Sequence, residues 1–273
     1  MPKLEIGAIV KPLNDPQGEL RKVTDLGLRS CQACSWESSE WTSAAGDALV
    51  GTAGKLGVEI TSFWAGTPGP RVWNFVEGPR TIGLVPAQYR QMRTEALLKA
   101  ADFAGDHGIA SITTHVGFIP EDPNDPDFAG VVEAIKRIAD RCQKRGVEFW
   151  FETGQETPVT LLRTMQAVGA PNLGVNLDPA NLIVYGKANP VDALDVLGKY
   201  VRGVHAKDGL YPTDGLNLGE QTPIGEGKVD FPALIGKLKA MGYAGALTIE
   251  REITGPRQQA DIRAAVAMLS SLC

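Results

Sequence analysis

The 273-residue chain has no uninterrupted apolar run near the ~20 residues that a membrane-spanning helix needs. Its start, MPKLEIGAIVKP, lacks the long apolar stretch and small-residue cleavage site of a secretory leader, so a cytoplasmic protein is expected. It also lacks an excess of positive charge. The net charge is −5 and the pI is about 5.3, which argues against a nucleic-acid backbone as the main partner. No G-x-x-x-x-G-K-[ST] or strand-linked G-x-G-x-x-G occurs, so no nucleotide cofactor is expected. IGEGKVDF has the wrong spacing and falls in a long loop. Cysteine is scarce, with four in all. Cys31 and Cys34 form one C-x-x-C, but no second pair completes a zinc site. In a strand, residues three apart face opposite sides. These two, like Cys142 and Cys273, read as structural thiols. Internal repeats and interdomain linkers are absent too, which points to one domain over residues 1–273.

What is present is an alternation. Short β-branched or apolar runs near 4–10, 29–35, 58–64, 109–115, 147–152, 173–178, 201–205 and 245–250 are separated by amphipathic stretches. In FAGVVEAIKRIADRCQKRG, Val131, Val132, Ile135 and Ile138 recur at helical steps, and Gly146 is a helix stop. DFPALIGKLKAMG places Asp230 as N-cap and Pro232 in the first turn. Eight strand–helix alternations over this length predict an α/β fold, a single (β/α)₈ TIM barrel, with an open doubly wound sheet as the alternative. Residues 65–85 and 209–229 are long, Gly- and Pro-rich loops leaving strand ends. They read as covers of a site, with Trp64, Trp73 and Phe75 as candidate apolar walls.

Four strand-like runs end in a metal-binding type of residue: Glu152 in VEFWFE, Asp178 in LGVNLD, His205 in VRGVH and Glu250 in GALTIE. The intervals of 26, 27 and 45 residues suit strand-plus-helix units. Strand parity turns all four inward together, and the outward sets (Phe149 and Phe151, Val175 and Leu177, Arg202 and Val204, Leu247 and Ile249) are mostly large and apolar, as helix-covered positions should be. Carboxylates and an imidazole at the carboxyl ends of barrel strands suit a divalent ion such as Mn²⁺, Mg²⁺ or Co²⁺. Separate structural acids are the competing reading. The same parity brings in His115, a candidate substrate contact, whereas His107 reads as a helix-end residue.

The chain resembles the sugar phosphate isomerase/epimerase superfamily, the xylose-isomerase-like barrels that include ketose 3-epimerases and inosose dehydratases. The carriers are FETGQET (151–157), NLDPANL (176–182), GVHAKDG (203–209), IGEGKVDF (224–231) and LTIERE (247–252). The resemblance implies that Glu152, Asp178, His205 and Glu250 hold one divalent ion, Mn²⁺ foremost and Mg²⁺, Co²⁺ or Zn²⁺ as other candidates. It also implies that Glu152 and Glu250 act as acid and base on a keto-sugar or sugar phosphate through an enediolate. Its substrate contacts would come from His115, Asn181, Lys207, Asp208, Trp64 and Glu156.

Departures matter. Asn181 stands where ketose 3-epimerases carry a histidine, and Tyr211 where they carry an arginine. Glu156 follows Glu152 by four residues rather than six. A metal-dependent dehydratase or lyase on a keto-inositol or 3-keto-glycoside is therefore the alternative to an isomerase or epimerase. A non-catalytic sugar-binding barrel ranks lower. So does an apurinic-site endonuclease, whose multinuclear zinc site needs more than the three histidines present. The expected partners are a small sugar and, in a homodimer or homotetramer, other copies of the chain; no nucleic acid or membrane is expected.

Overall fold

The computed structural model describes residues 4–273. Met1 to Lys3, the first residues of MPKLEIGAIVKP, lie outside the described residues. The chain runs β1 (Ile6–Val10), α1 (Pro16–Asp25), β2 (Ser30–Ser35), α2 (Ser43–Leu56), β3 (Glu59–Ala65), α3 (Gly78–Thr81), α4 (Ala87–Asp106) and β4 (Ser111–Thr114). It continues through α5 (Pro126–Lys144), β5 (Glu148–Glu152), α6 (Pro158–Val168), β6 (Leu173–Leu177), α7 (Pro179–Val184), α8 (Pro190–Leu197) and β7 (Val201–Ala206). A small hairpin of β8 (Asp208–Gly209) and β9 (Gln221–Thr222) precedes α9 (Phe231–Ala240), β10 (Leu247–Ile249) and α10 (Pro256–Leu272).

Eight of these strands close a parallel barrel in the order β1-β10-β7-β6-β5-β4-β3-β2. Closure rests on the pairing of β1 with β10, Ile6 opposite Leu247 and Ala8 opposite Ile249. That decides for the barrel over the open sheet. The outward-facing Phe149, Phe151, Val175, Leu177, Leu247 and Ile249 all lie in the core under the helices. On α5, Val131, Ile135 and Ile138 are fully buried and Val132 packs at the edge. Asp230 caps α9 through the Ala233 N–H.

The barrel's interior is filled by polar and aromatic groups. Trp150 lies across Gly174 and Gly203 of the neighbouring strands. A Cβ at Gly174 would sit 2.5 Å from its indole, and one at Gly203 would sit 2.5 Å from Asn176 Oδ1. Two register shifts break the ladders, one between β2 and β3 at Cys31/Gln32 and one between β6 and β7 at Val175/Asn176. Such bulges re-aim side chains beside sites. Here they flank Gln32 and Asn176, whose amides meet at 2.9 Å inside the barrel.

The two long loops are not plain coil. Residues 65–85 carry α3, and 209–229 carry the β8–β9 hairpin. Buried Arg93 fixes the first loop by donating to the carbonyls of Pro68, Pro70, Thr81 and Gly83 at 2.7–3.0 Å. The loops touch where the Phe75 N–H donates to the Leu216 carbonyl, 3.0 Å. Among the described residues no helix is long and apolar enough to cross a membrane.

Candidate active site

β5, β6, β7 and β10 deliver Glu152, Asp178, His205 and Glu250 to one end of the barrel. Asp178 and Glu250 each stand one residue past their strand. One ligand atom from each of the four lies within 4.8 Å of the others. His205 and Asp178 are fully buried, while Glu152 and Glu250 stand between them and a cavity of about 660 Å³. His205 Nδ1 lies 3.0 Å from Glu152 Oε1, 3.3 Å from Glu250 Oε2 and 3.8 Å from Asp178 Oδ2.

Gln32 sets the tautomer of that imidazole. Its Nε2 donates to Asn176 Oδ1, so its Oε1 is left to accept from His205 Nε2, 2.8 Å away. The Nδ1 lone pair of the neutral ring then faces three carboxylates. That arrangement is repulsive unless a positive charge, a proton or a metal ion, sits among them. Asp178 makes the same point. Its Oδ1 caps α7 by accepting the Asn181 N–H at 2.8 Å. Its Oδ2 is buried with no hydrogen bond, 3.5 Å from Lys207 Nζ. A buried carboxylate oxygen left bare beside a histidine lone pair fits a divalent cation with nitrogen and hard oxygen ligands.

The titrations reflect a site with charge to place. Burial would lower the His205 pKa, but the Glu152 and Glu250 carboxylates outweigh it and raise the value well above the usual range. Burial likewise opposes, and Glu250 with Glu252 overcomes it, in holding Lys207 firmly protonated. Both glutamates sit below the ordinary carboxylate range despite burial. His115 and His205 draw Glu152 down, and Lys207 and His205 draw Glu250 down.

Of the expected substrate contacts, Trp64, His115, Asn181 and Lys207 line the cavity. Trp64 donates its indole N–H to Glu152 Oε2. His115 Nε2 lies 3.6 Å from that same oxygen, and Asn181 Nδ2 lies 3.3 Å from Glu152 Oε1. Lys207 reaches Glu250 at 3.2 Å and Glu252 at 2.8 Å.

Two others are not among the lining residues. Glu156 is buried, with Oε2 unpartnered. Asp208 spends both oxygens on the backbone N–H groups of Gly209, Val229, Gly225 and Gly227 at 2.8–3.0 Å, pinning the 209–229 loop. Trp73 walls the cavity, but Phe75 does not. Arg251 lines the cavity with its guanidinium bound to Asp261 and Gln221.

Cys31 is in the core and Cys34 faces the cavity, on opposite sides of β2 as parity requires. Burial and the nearby Glu250 push the Cys34 thiol up to about 12, so it stays protonated. His107 ends α4 and binds the Phe103 and Ser43 carbonyls. Sequence reasoning passed over Gln32, Trp36 and Glu252. Gln32 carried a usable signal, because it shares the inward parity of Cys34 in a strand otherwise made of small or apolar residues.

The profile of the xylose isomerase-like TIM barrel family matches residues 20–272. The chain belongs to this family. A solved xylose isomerase domain protein from Planctomyces limnophilus is 32% identical, with a TM-score of 0.93 over 99% of this chain and 98% of that one. The inosose dehydratase of Geobacillus kaustophilus is 28% identical over 144 residues, 47% of this chain and 46% of that protein. The chain spans about half the length of the curated relatives it matches. A D-tagatose 3-epimerase-like protein, 19% identical with a TM-score of 0.74 over 98% of each chain, shares the fold. This xylose isomerase-like barrel thus shares its fold with an epimerase-like protein, matches a dehydratase over about half of the chain, and carries a carboxylate–histidine cluster that could hold a metal ion.

Proposed function

We propose that residues 1–273 form one metal-dependent sugar-converting unit that isomerises or epimerises a keto-sugar. Glu152, Asp178, His205 and Glu250 hold a single divalent cation, Mn²⁺ foremost, and no nucleotide takes part. The observation that carries this reading is the His205 Nδ1 lone pair, aimed by Gln32 at three carboxylates whose ligand atoms lie within 4.8 Å. When bound, the cation supplies Lewis-acid polarisation of a substrate carbonyl and its neighbouring hydroxyl.

The chain's own residues do the rest. Glu250 takes the proton from the carbon beside the carbonyl, and Glu152 returns one to the opposite face, which inverts that carbon. Lys207 places its ammonium next to Glu250, where negative charge builds on the substrate oxygens. Trp64, His115 and Asn181 fix Glu152 and offer contacts to sugar hydroxyls.

One observation favours elimination as a second reading. Both Glu152 oxygens accept hydrogen bonds, Oε1 from Asn181 and Oε2 from Trp64. Glu250 keeps an oxygen with no hydrogen-bond partner. A single free base suffices for a dehydratase or lyase: it removes the proton and then hands that proton to the neighbouring hydroxyl, whose C–O bond breaks as water leaves. Incubation of the Mn²⁺-loaded protein with ketoses and keto-glycosides, read by NMR in D₂O, separates the two. Epimerisation yields a product of equal composition with deuterium at the inverted carbon, and elimination yields a dehydrated one. If Glu152→Gln and Glu250→Gln exchange the substrate α-proton as fast as wild type, the acid/base assignment fails. If the purified protein carries no divalent ion and chelation leaves turnover untouched, the metal reading fails as well.

A further inference from the structure

The cavity is larger than the chemistry above demands. A free ketohexose has about twelve non-hydrogen atoms, and at no more than a water molecule's ~30 Å³ each it fills at most about 360 Å³. The cavity holds about 660 Å³. Beside Glu250 one part of its wall comes from β1, α1 and the segment that follows β10, and another part carries Trp36, Trp73, Tyr185 and Leu218. Ile9, Leu26, Ile253 and Ile262 line the first part, each half-buried. Leu26 and Ile262 also pack against the core, whereas Ile9 and Ile253 do not belong to it. Those two present apolar surface to the cavity.

The charges around this sector are already matched. Lys22 pairs with Glu19, Lys207 with Glu252 at 2.8 Å and Arg251 with Asp261 at 2.8 Å. Of the lysines and arginines lining the cavity, only Lys11 makes no ion pair among the described residues. A phosphate ester asks for several convergent unpaired donors, such as an arginine fork. One exposed lysine ammonium is a weak substitute.

We propose that the substrate is an uncharged keto-sugar joined through its anomeric oxygen to an apolar group, a keto-glycoside with an aromatic or similarly flat aglycone. The sugar ring lies over Glu152 and Glu250, and the aglycone lies against Ile9, Leu26, Ile253 and Ile262. This rests on the sugar-site reading above and narrows it. Sugar phosphates are then poor ligands, and the isoleucines set specificity.

Isothermal titration of the Mn²⁺-loaded full chain with phenyl β-D-glucoside, methyl β-D-glucoside and fructose 6-phosphate tests it, because the two glucosides differ only in the aglycone. The phenyl glucoside is expected to bind at least about tenfold tighter than the methyl one, through burial of its ring. Ile253→Asp should abolish that preference. Ile253→Ala, which removes apolar surface without adding charge, should shrink it in a protein whose fold is checked by circular dichroism. Equal binding of the two glucosides, tighter binding of fructose 6-phosphate, or an undiminished preference in both folded variants overturns the inference and leaves the sugar site standing. If a parallel titration shows that fructose binds and neither glucoside does, this inference falls and the sugar site stands; if fructose does not bind either, the sugar reading falls with it.

Discussion

Glu156 gives the sharpest quantitative test of how the barrel handles charge. The side chain is 4% exposed and its Oε2 has no partner. Burial, with Glu152 adding to it, pushes its pKa from the ordinary 4.5 up to about 8, against the pull of its own backbone N–H and of Lys187. Near neutral pH the folded protein therefore carries Glu156 as a neutral acid, whereas the unfolded chain carries it ionised. Below pH 4.5 both states are protonated and the group contributes no pH dependence. Between 4.5 and 8 only the folded state keeps the proton, so stability falls as pH rises, and above 8 the penalty is constant. At 1.36 kcal/mol per pH unit, that interval amounts to about 5 kcal/mol, and relaxation around a buried carboxyl reduces it to about half. Glu156→Gln keeps the shape and removes the ionisation. The unpartnered polar atom is common to both side chains, so its cost cancels to first order. The variant should match wild type within ~1 kcal/mol at pH 4.5 and exceed it by about 2–5 kcal/mol at pH 8.5. Urea unfolding of both proteins at the two pH values, in chelator so that metal binding does not intrude, measures the difference. Curves that stay parallel from pH 4.5 to 8.5 would refute the burial argument, since every other titrating group is shared.

Three further outcomes are expected. Gln32→Met removes the acceptor that fixes the His205 tautomer and should weaken Mn²⁺ binding about 10- to 100-fold; an unchanged affinity by titration calorimetry would show that the tautomer does not matter. Because the raised pKa of His205 keeps a proton on it in the metal-free protein, ion binding near neutral pH should release about one proton. Calorimetry in buffers of different ionisation enthalpy counts it, and zero protons released would contradict the charge argument. Arg93→Met leaves the carbonyls of Pro68, Pro70, Thr81 and Gly83 without their donor. It should cost at least ~3 kcal/mol and speed proteolytic nicking within 65–85; wild-type cleavage rates would mean that the loop is held by other contacts.

Much of this was legible in the sequence because barrel strands are short and their ends are marked. Parity separated Phe149 and Phe151 from Trp150 and Glu152, and the strand ends located Glu152, Asp178, His205 and Glu250. Closure was not legible, because it is a pairing of Ile6–Ala8 with Leu247–Ile249 across almost the whole chain. The bulges beside Gln32 and Asn176 were also out of reach. A register shift follows from how two strands meet, not from either strand alone. In the long loops, composition pointed to a cover but not to its fastening. Neither the four carbonyls around Arg93 nor the hairpin pinned by Asp208 has a local sequence mark.

Asp178 and Asp208 show why residue type alone could not finish the assignment. Both are buried acids within two residues of a barrel strand's end, and both sit in motifs that carry the family resemblance. Asp208 gives its two oxygens to four backbone N–H groups and has nothing left for a ligand. Asp178 gives one oxygen to the start of α7 and keeps the other bare beside His205. The first acid is spent on the loop, and the second couples the fold to the site. The same accounting orders the glutamates. Glu250 keeps a free oxygen facing the cavity, Glu152 has both oxygens held, and the unpartnered oxygen of Glu156 lies away from the cavity lining. Counted oxygen by oxygen, the unspent lone pairs support the proposal above that Glu250, ahead of Glu152, is the first base.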